Sequence, residues 1–281
     1  MSYEQYRPSS FKLLPDVVKN LLIINGLFFL ATFVFDTRFH IDLTDILGLH
    51  YFEADKFRPW QFVTYMFMHG SFTHIALNMF ALWMFGSSME NVWGPKRFLT
   101  FYIFTGLGAA LTHYLVVYYQ LHPVLSAIDT YIANPDPVAL KAFLDDPSLF
   151  NLGVDNVQHN FQVFAQQYND LLVSDSIKAQ QLSLDFMQQY RADFTNAPVV
   201  VGASGAVFGL LLAFGMTFPN NIIYVYFAIP MKAKYFVMLY GAIELYSGIS
   251  NSSDNVAHFA HLGGMLFGIL LILYWRKKFR F

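Results

Sequence analysis

The chain has 281 residues, 56% of them hydrophobic and 13% charged, with a formal net charge of −2. This balance excludes an ordinary soluble globular domain and a basic nucleic-acid binder, and it reads as a polytopic membrane protein. There is no cysteine, so a disulfide framework, a thiolate metal site and a cysteine nucleophile are excluded as well.

In chain order, residues 1–17 read as a short cytoplasmic tail without a signal-peptide plan. A first apolar span runs from about Val18 to Phe35, followed by a mixed-polarity stretch to about Arg58. The next apolar stretch, from about Phe62 to Val92, is too long for one simple crossing and is interrupted at His69-Gly70-Ser71, so the crossing is placed from near His74. A third span is expected near Phe98 to Tyr119, a fourth near Val199 to Phe218, a fifth near Lys234 to Tyr246, with an earlier start compatible with the apolar residues before it, and a sixth near Val256 to Trp275. The domain plan is therefore three spans within 18–120, an extracytoplasmic insertion at 121–198, three spans within 199–275 and a basic cytoplasmic tail at 276–281. The fold class is an all-α membrane protein, a bundle of six transmembrane helices.

Six spans put both termini on one side. Arg7, Lys12, Lys19, Lys96, Arg97, Lys232, Lys234, Arg276, Lys277, Lys278 and Arg280 fall in the tails or the even-numbered loops. The other side has only Arg38, Lys56, Arg58, Lys141, Lys178 and Arg191 among many acids. The positive-inside rule places both termini in the cytoplasm, as expected of a multi-pass protein of the cell membrane.

The insertion is too long to be structureless. Asn134-Pro135-Asp136-Pro137 reads as a helix start, and Val157, Phe161, Phe164, Tyr168 and Leu171 recur at helical spacing. So do Leu182, Phe186, Tyr190 and Phe194, which predicts a small helical cap, a hairpin lying on the membrane surface or over the fourth span.

The chemistry concentrates at Gly202-Ala203-Ser204-Gly205, a slim corner that places a hydroxyl at the start of an apolar helix. A helix start directs its amide N–H groups and its positive dipole end toward a developing negative charge. Counting helix rise from Pro219 puts Ser204 roughly 22 Å above the inner boundary, and counting from Arg276 puts His261 at a similar roughly 22 Å. A serine and a histidine at one depth are the minimum for acyl transfer, with the imidazole as base. His258 competes for that role; His261 is preferred because the small-residue face with Gly264 and Gly268 begins there. His74 and Asn78, spaced i, i+4, share one helix face, and with the Ser204 amide they are candidates to receive an oxyanion. No acid is obviously placed to orient His261: Asp254 falls in a loop and Glu244 in another helix, which argues for a dyad.

These residues resemble the rhomboid family of intramembrane serine proteases. The matches are His74-Ile-Ala-Leu-Asn78 in the second span, Gly202-Ala-Ser204-Gly205 opening the fourth, and Ala257-His-Phe-Ala-His261-Leu-Gly-Gly264 with Gly268 in the sixth. The resemblance implies a six-helix rhomboid-like bundle with an external insertion between helices 3 and 4, Ser204 as nucleophile and His261 as general base. It further implies an oxyanion hole of His74, Asn78 and the Ser204 amide, Phe208 packed on the catalytic histidine, and lateral substrate access past the fifth span. Trp60 and His69 match family positions, whereas Gln61 stands where many members have arginine.

The expected function is hydrolysis of peptide bonds within or next to transmembrane helices of membrane-protein substrates, in contact with lipid and with neither metal nor organic cofactor. A non-catalytic rhomboid-like protein that binds client helices is the first alternative. A transporter with proton-relay histidines is the second, and the missing inverted repeat weighs against it.

Overall fold

The computed structural model describes residues 11–154, 157–225, 228–250 and 257–279. Arg7, Asp254, Val256 and Arg280 of the sequence reading lie outside the described residues. The chain forms two compact units, one made of the chain to Leu49, Pro59–Tyr114 and the chain from Val200, the other of His50–Arg58 and Leu115–Val199.

In the first unit α1 (Asp16–Val34) runs into a π-helical turn at Phe35–Phe39. After a short α2 (Leu43–Leu47), β1 (Leu49–His50) and α3 (Gln61–Thr64) comes α4 (Phe72–Ala81), which continues through a π-helical turn at Leu82–Gly86 into α5 (Ser87–Trp93). Next is α6 (Pro95–Ala133), whose N-terminal part belongs to this unit. The second unit continues along α6 into α7 (Pro137–Asp145), α8 (Val157–Ser174) and α9 (Ser176–Asn196). The chain returns through β2 (Val199–Val200) to α10 (Ser204–Thr217), the antiparallel hairpin β3 (Ile222–Val225) and β4 (Ile229–Lys232), α11 (Ala233–Ser250) and α12 (His258–Phe279).

Each of the six predicted stretches contains helix among the described residues, although the fourth opens with β2 and becomes helical only at Ser204. Among the described residues, three segments are long and apolar enough to cross a membrane by themselves: Asp16–Phe39, Pro95–Ala133 and His258–Lys278. At 14 residues α10 spans only roughly 21 Å, short of a hydrocarbon core of about 30 Å. Ten of those residues are buried, so the irregular backbone before Ser204 lies against protein rather than lipid. Large apolar side chains face outward elsewhere, including Leu27, Leu30 and Phe33 on α1 and Met238, Tyr246 and Ile249 on α11. Such faces suit a hydrocarbon solvent and would be a liability in water.

Two departures from the sequence reading have physical causes. The third helix does not stop near Tyr119 but continues to Ala133: Pro123 disfavours a helix interior, and burial of Leu121, Val124, Leu125, Ile128 and Tyr131 in the core of the second unit offsets that cost. The apolar stretch before Lys234 forms the β3–β4 hairpin rather than an early start to the fifth helix. Pro219 and Pro230 interrupt a helical ladder there, and the β-branched pair Ile222-Ile223 favours extended backbone.

Two buried polar side chains of the first unit, Glu90 and Gln61, are paired with other segments. Pro15 precedes α1 and offers no side-chain cap. The Glu90 carboxylate on α5 replaces one, accepting the Val17 and Val18 amides at 3.0 and 2.8 Å, where the helix dipole favours negative charge. Gln61 is fully buried and donates to the Ile46 carbonyl at 3.1 Å, while Thr64 donates to Leu47 at 2.7 Å. Gln61 is thus an uncharged tether for the preceding segment.

The second unit has its own core. Asp136 caps α7 by accepting the Ala139 amide at 2.8 Å, as the Asn-Pro-Asp-Pro run predicts. The stripes of α8 and α9 meet, with Phe164 stacked on Phe186 at 4.2 Å and Phe150, Phe161 and Tyr190 around them. Arg191 joins α9 to Asp129 of α6 and to Glu53 of the 50–58 segment, at 2.9 and 2.8 Å. These residues supply packing and ion pairs, and we assign them no chemistry.

The α10–α12 contact is built on glycine. A Cβ at Gly264 would overlap the Gly205 carbonyl, and one at Gly205 would overlap the Ala109 side chain of α6. Replacing Gly264 by valine is expected to force α10 and α12 apart at a cost of about 3 kcal/mol or more, read as a fall in Tm of the solubilised protein. Gly26 has no neighbour within 4 Å of a built Cβ, so Gly26→Ala should hold or raise Tm through helix propensity. Loss of the cap in Glu90→Ala is expected to cost about 2 kcal/mol, measured in the same assay.

Candidate active site

The site lies wholly within the first unit, at the N-terminus of α10. Gly202 has φ +127°, a conformation that L side chains rarely adopt, and its N–H donates to the Tyr65 carbonyl at 2.9 Å. The Tyr65 hydroxyl in turn donates to the Gly106 carbonyl at 2.7 Å, fixing this segment against α6. Glycine is needed at 202 for a second reason: a Cβ there would lie 2.9 Å from the His74 ring and 3.5 Å from Ser204 Oγ. The turn therefore brings the His74 imidazole and the Ser204 hydroxyl next to one small space that a side chain at 202 would fill.

Ser204 is the first residue of α10, and its amide is one that the helix's own ladder leaves unsatisfied. Its Oγ lies 2.8 Å from Nε2 of His261, on the first turn of α12. The two residues expected at one depth are thus within hydrogen-bond distance. The His261 ring stacks on Phe208, one turn after Ser204, with centroids 4.2 Å apart and planes 4° from parallel. Tyr240 of α11 also stacks on Phe208, with centroids 5.1 Å apart. A face-to-face contact of this kind is worth about 1 kcal/mol and holds the plane of the imidazole.

His74 sits in the first turn of α4, where Ser71 Oγ accepts its amide at 3.1 Å. Its ring meets that of buried His69 edge-on at 5.0 Å. Asn78 is buried, and its Nδ2 donates to the His74 carbonyl at 3.1 Å. One of its amide hydrogens is therefore used within α4, and the second is the one that remains for a ligand. Gly205 and Gly264 serve the close approach of α10 and α12 described above.

The expectation that no acid orients His261 is corrected. Glu244 on α11 is 6% exposed, and its Oε2 accepts from His261 Nδ1 at 2.9 Å. The same oxygen accepts from His258 Nδ1 at 2.7 Å. His258, the competitor for the role of base, is thus bonded to the same carboxylate, with a side chain 11% exposed. The sequence carried a signal for this, since Glu244 is the single acidic residue in the apolar run from Ala233 to Ser250, and an ionisable group in such a run requires a partner.

Glu244, His258 and His261 offer one potential metal-ligand atom each, all within 4.8 Å of one another. Direct hydrogen bonds among these atoms already account for the cluster, and the remaining nitrogen of His261 is engaged by Ser204. The donor set thus fits a hydrogen-bonded array. Chemically, the arrangement offers a hydroxyl with a base on its proton, a base with a carboxylate behind it, and N–H donors at a helix start.

The geometry accords with the comparisons to known proteins. The Rhomboid domain matches residues 56–125 and 179–278, passing over the middle of the second unit. RHOMBOID-like protein 12, mitochondrial, of Arabidopsis thaliana is 26% identical over 268 residues, which is 95% of this chain and 60% of that protein. Rhomboid protease AarA of Providencia stuartii is 36% identical over 62 residues, 22% of each chain. Rhomboid protease GluP of Bacillus subtilis is 30% identical over 56 residues, 20% of this chain and 11% of that protein. The chain spans about 60% or less of the length of these relatives. Since the Rhomboid domain matches more than half of it, the chain belongs to the rhomboid family.

Proposed function

We propose that this protein is an intramembrane serine protease that cleaves peptide bonds within or next to transmembrane helices of other membrane proteins. The observation that carries this reading is the 2.8 Å contact between Ser204 Oγ and His261 Nε2 at the start of a buried apolar helix. A hydroxyl and an imidazole so placed have one evident joint use, which is nucleophilic attack assisted by a general base. Two relatives bearing the name rhomboid protease support it.

As Ser204 Oγ bonds to the scissile carbonyl carbon, its proton passes to His261 Nε2. The carbonyl oxygen takes up the negative charge and is received by the Ser204 amide, the His74 ring and the second Asn78 amide hydrogen. His261 then returns the proton to the leaving nitrogen as the C–N bond breaks, leaving an acyl-enzyme on Ser204. Water, deprotonated by the same imidazole, hydrolyses the ester and restores the serine. No metal or organic cofactor takes part in these steps.

A substrate helix must unwind locally before its carbonyl can reach Ser204, because its backbone groups are already hydrogen-bonded. Small and helix-weakening residues near the scissile bond are therefore preferred. Both termini lie in the cytoplasm on this reading, with the insertion and the water path to Ser204 on the opposite side. The apolar faces of α1, α6, α11 and α12 meet lipid, and substrate arrives past α11.

Purified protein is expected to react with a fluorophosphonate probe and to cleave a generic transmembrane substrate. Ser204→Ala and His261→Ala should each abolish labelling and lower cleavage by at least about 10⁴-fold, while EDTA leaves the wild-type rate unchanged. A folded wild-type protein that neither labels nor cleaves across several lipids and substrates would sink this reading in favour of a non-catalytic helix-binding role.

A further inference from the structure

We propose that Glu244 is a positioning residue for His261 and that His258 holds Glu244 in place, so that the working unit is a Ser204–His261–Glu244–His258 array rather than a serine–histidine pair. The proposal rests on the proteolytic reading above and deepens it.

A carboxylate on an apolar helix is costly and is retained only where partners repay its desolvation. Glu244 has two, and both reach the same oxygen through Nδ1, at 2.9 Å from His261 and 2.7 Å from His258. An ionised carboxylate only accepts, so each ring must carry its proton on Nδ1. For His261 this leaves Nε2 without a proton and facing Ser204 Oγ, the tautomer that a general base requires. The opposite tautomer would present an N–H to the serine and be unable to take its proton.

Stacking on Phe208 and bonding to Glu244 restrain different motions. The stack fixes the plane of the imidazole but leaves it able to rotate within that plane. The Nδ1–Oε2 bond removes that rotation and aims Nε2 at the hydroxyl. When Nε2 gains the Ser204 proton, the ring becomes a cation, and the carboxylate beside it offsets that charge without taking the proton itself.

His258 lies three residues before His261, on the same face of α12. Its ring stands at 89° to that of His261, with centroids 6.4 Å apart. The two rings therefore approach the oxygen from different directions and hold it between them. Glu244 is anchored by one histidine and orients the other.

Two measurements test the array. Nitrogen-15 NMR of histidine-labelled wild-type protein at neutral pH should show both His261 and His258 protonated at Nδ1, with His261 bare at Nε2. An Nε2–H tautomer for His261, or rapid exchange between tautomers, would overturn the proposal whether or not the protein is active. In steady-state cleavage, Glu244→Gln preserves size and should lower kcat by roughly 10²-fold or more, with KM and Tm near wild type. His258→Asn retains a donor at the Nδ1 position and should keep most of the rate, whereas His258→Ala should lower it. Combining His258→Ala with Glu244→Gln should add little beyond Glu244→Gln alone, as expected of residues acting through one contact. Wild-type kcat in Glu244→Gln, or fully additive losses in the double variant, would reject the positioning role. Wild-type protein without fluorophosphonate labelling at Ser204 would instead reject the proteolytic reading, and the tautomer measurement would still decide whether Glu244 holds His261.

Discussion

The close approach of α10 and α12 is the constraint from which the site follows. Where a Cβ on Gly264 would strike the Gly205 carbonyl, the two helix backbones are nearly in contact. The next turn repeats the pattern, with Gly268 facing the Gly209 backbone and the Leu212 side chain, and Gly209 itself against Thr105 of α6. In an apolar solvent helices gain little from merely burying hydrocarbon, so close packing through small residues carries much of their association. At this separation a serine on one helix and a histidine on the other meet at 2.8 Å without either leaving its helix. The glycine rows set the distance at which the chemistry operates.

The polar groups of the first unit follow a related rule. Each costs several kcal/mol if left unpaired away from water, and three of the buried side chains find their partners on another segment. Glu90 closes the start of α1 from α5, Gln61 ties α3 to the chain before β1, and Glu244 joins α11 to α12. The first two hold static junctions, where the bonded partners are backbone amides or carbonyls with one fixed geometry. At Glu244 the partners are two imidazoles, groups that exchange protons. The same physical demand for pairing therefore produces a structural joint in two places and a chemically responsive one in the third.

How much of this was legible in the sequence depended on whether the signal was local. Apolar stretches and the Asn-Pro-Asp-Pro start of α7 were readable, since span length and capping are properties of adjacent residues. Ser204 and His261 were readable as a pair because each sits a fixed helix rise from its own anchor, so depth substitutes for contact. Glu244 was visible as an acid in an apolar run, but its facing toward His261, 17 positions later, depends on the rotation of α11 against α12, which spacing within either helix does not specify. The β3–β4 hairpin was hidden for a different reason: Ile222–Lys232 is almost as apolar as a span, and hydropathy alone does not separate a short buried or interfacial strand pair from the start of a helix.

On the proteolytic reading, α11 has two duties that constrain each other. Its outward face bears exposed apolar side chains such as Met238 and Leu239, and its inward face supplies Tyr240 to the Phe208 stack and Glu244 to His261. A substrate helix is about 10 Å across, so admitting one intact past α11 would carry Glu244 well beyond the 3.5 Å limit of a hydrogen bond. An extended strand needs only about 4.8 Å of lateral room. A whole helix can therefore dock outside α11 while His261 remains oriented, but chemistry proceeds only once a short unwound segment has passed inward and α11 again lies against α12. The base is thus held ready in the state that excludes bulk helix and loses its orientation in the state that would admit it, which makes local unwinding of the substrate a requirement of catalysis as well as of access.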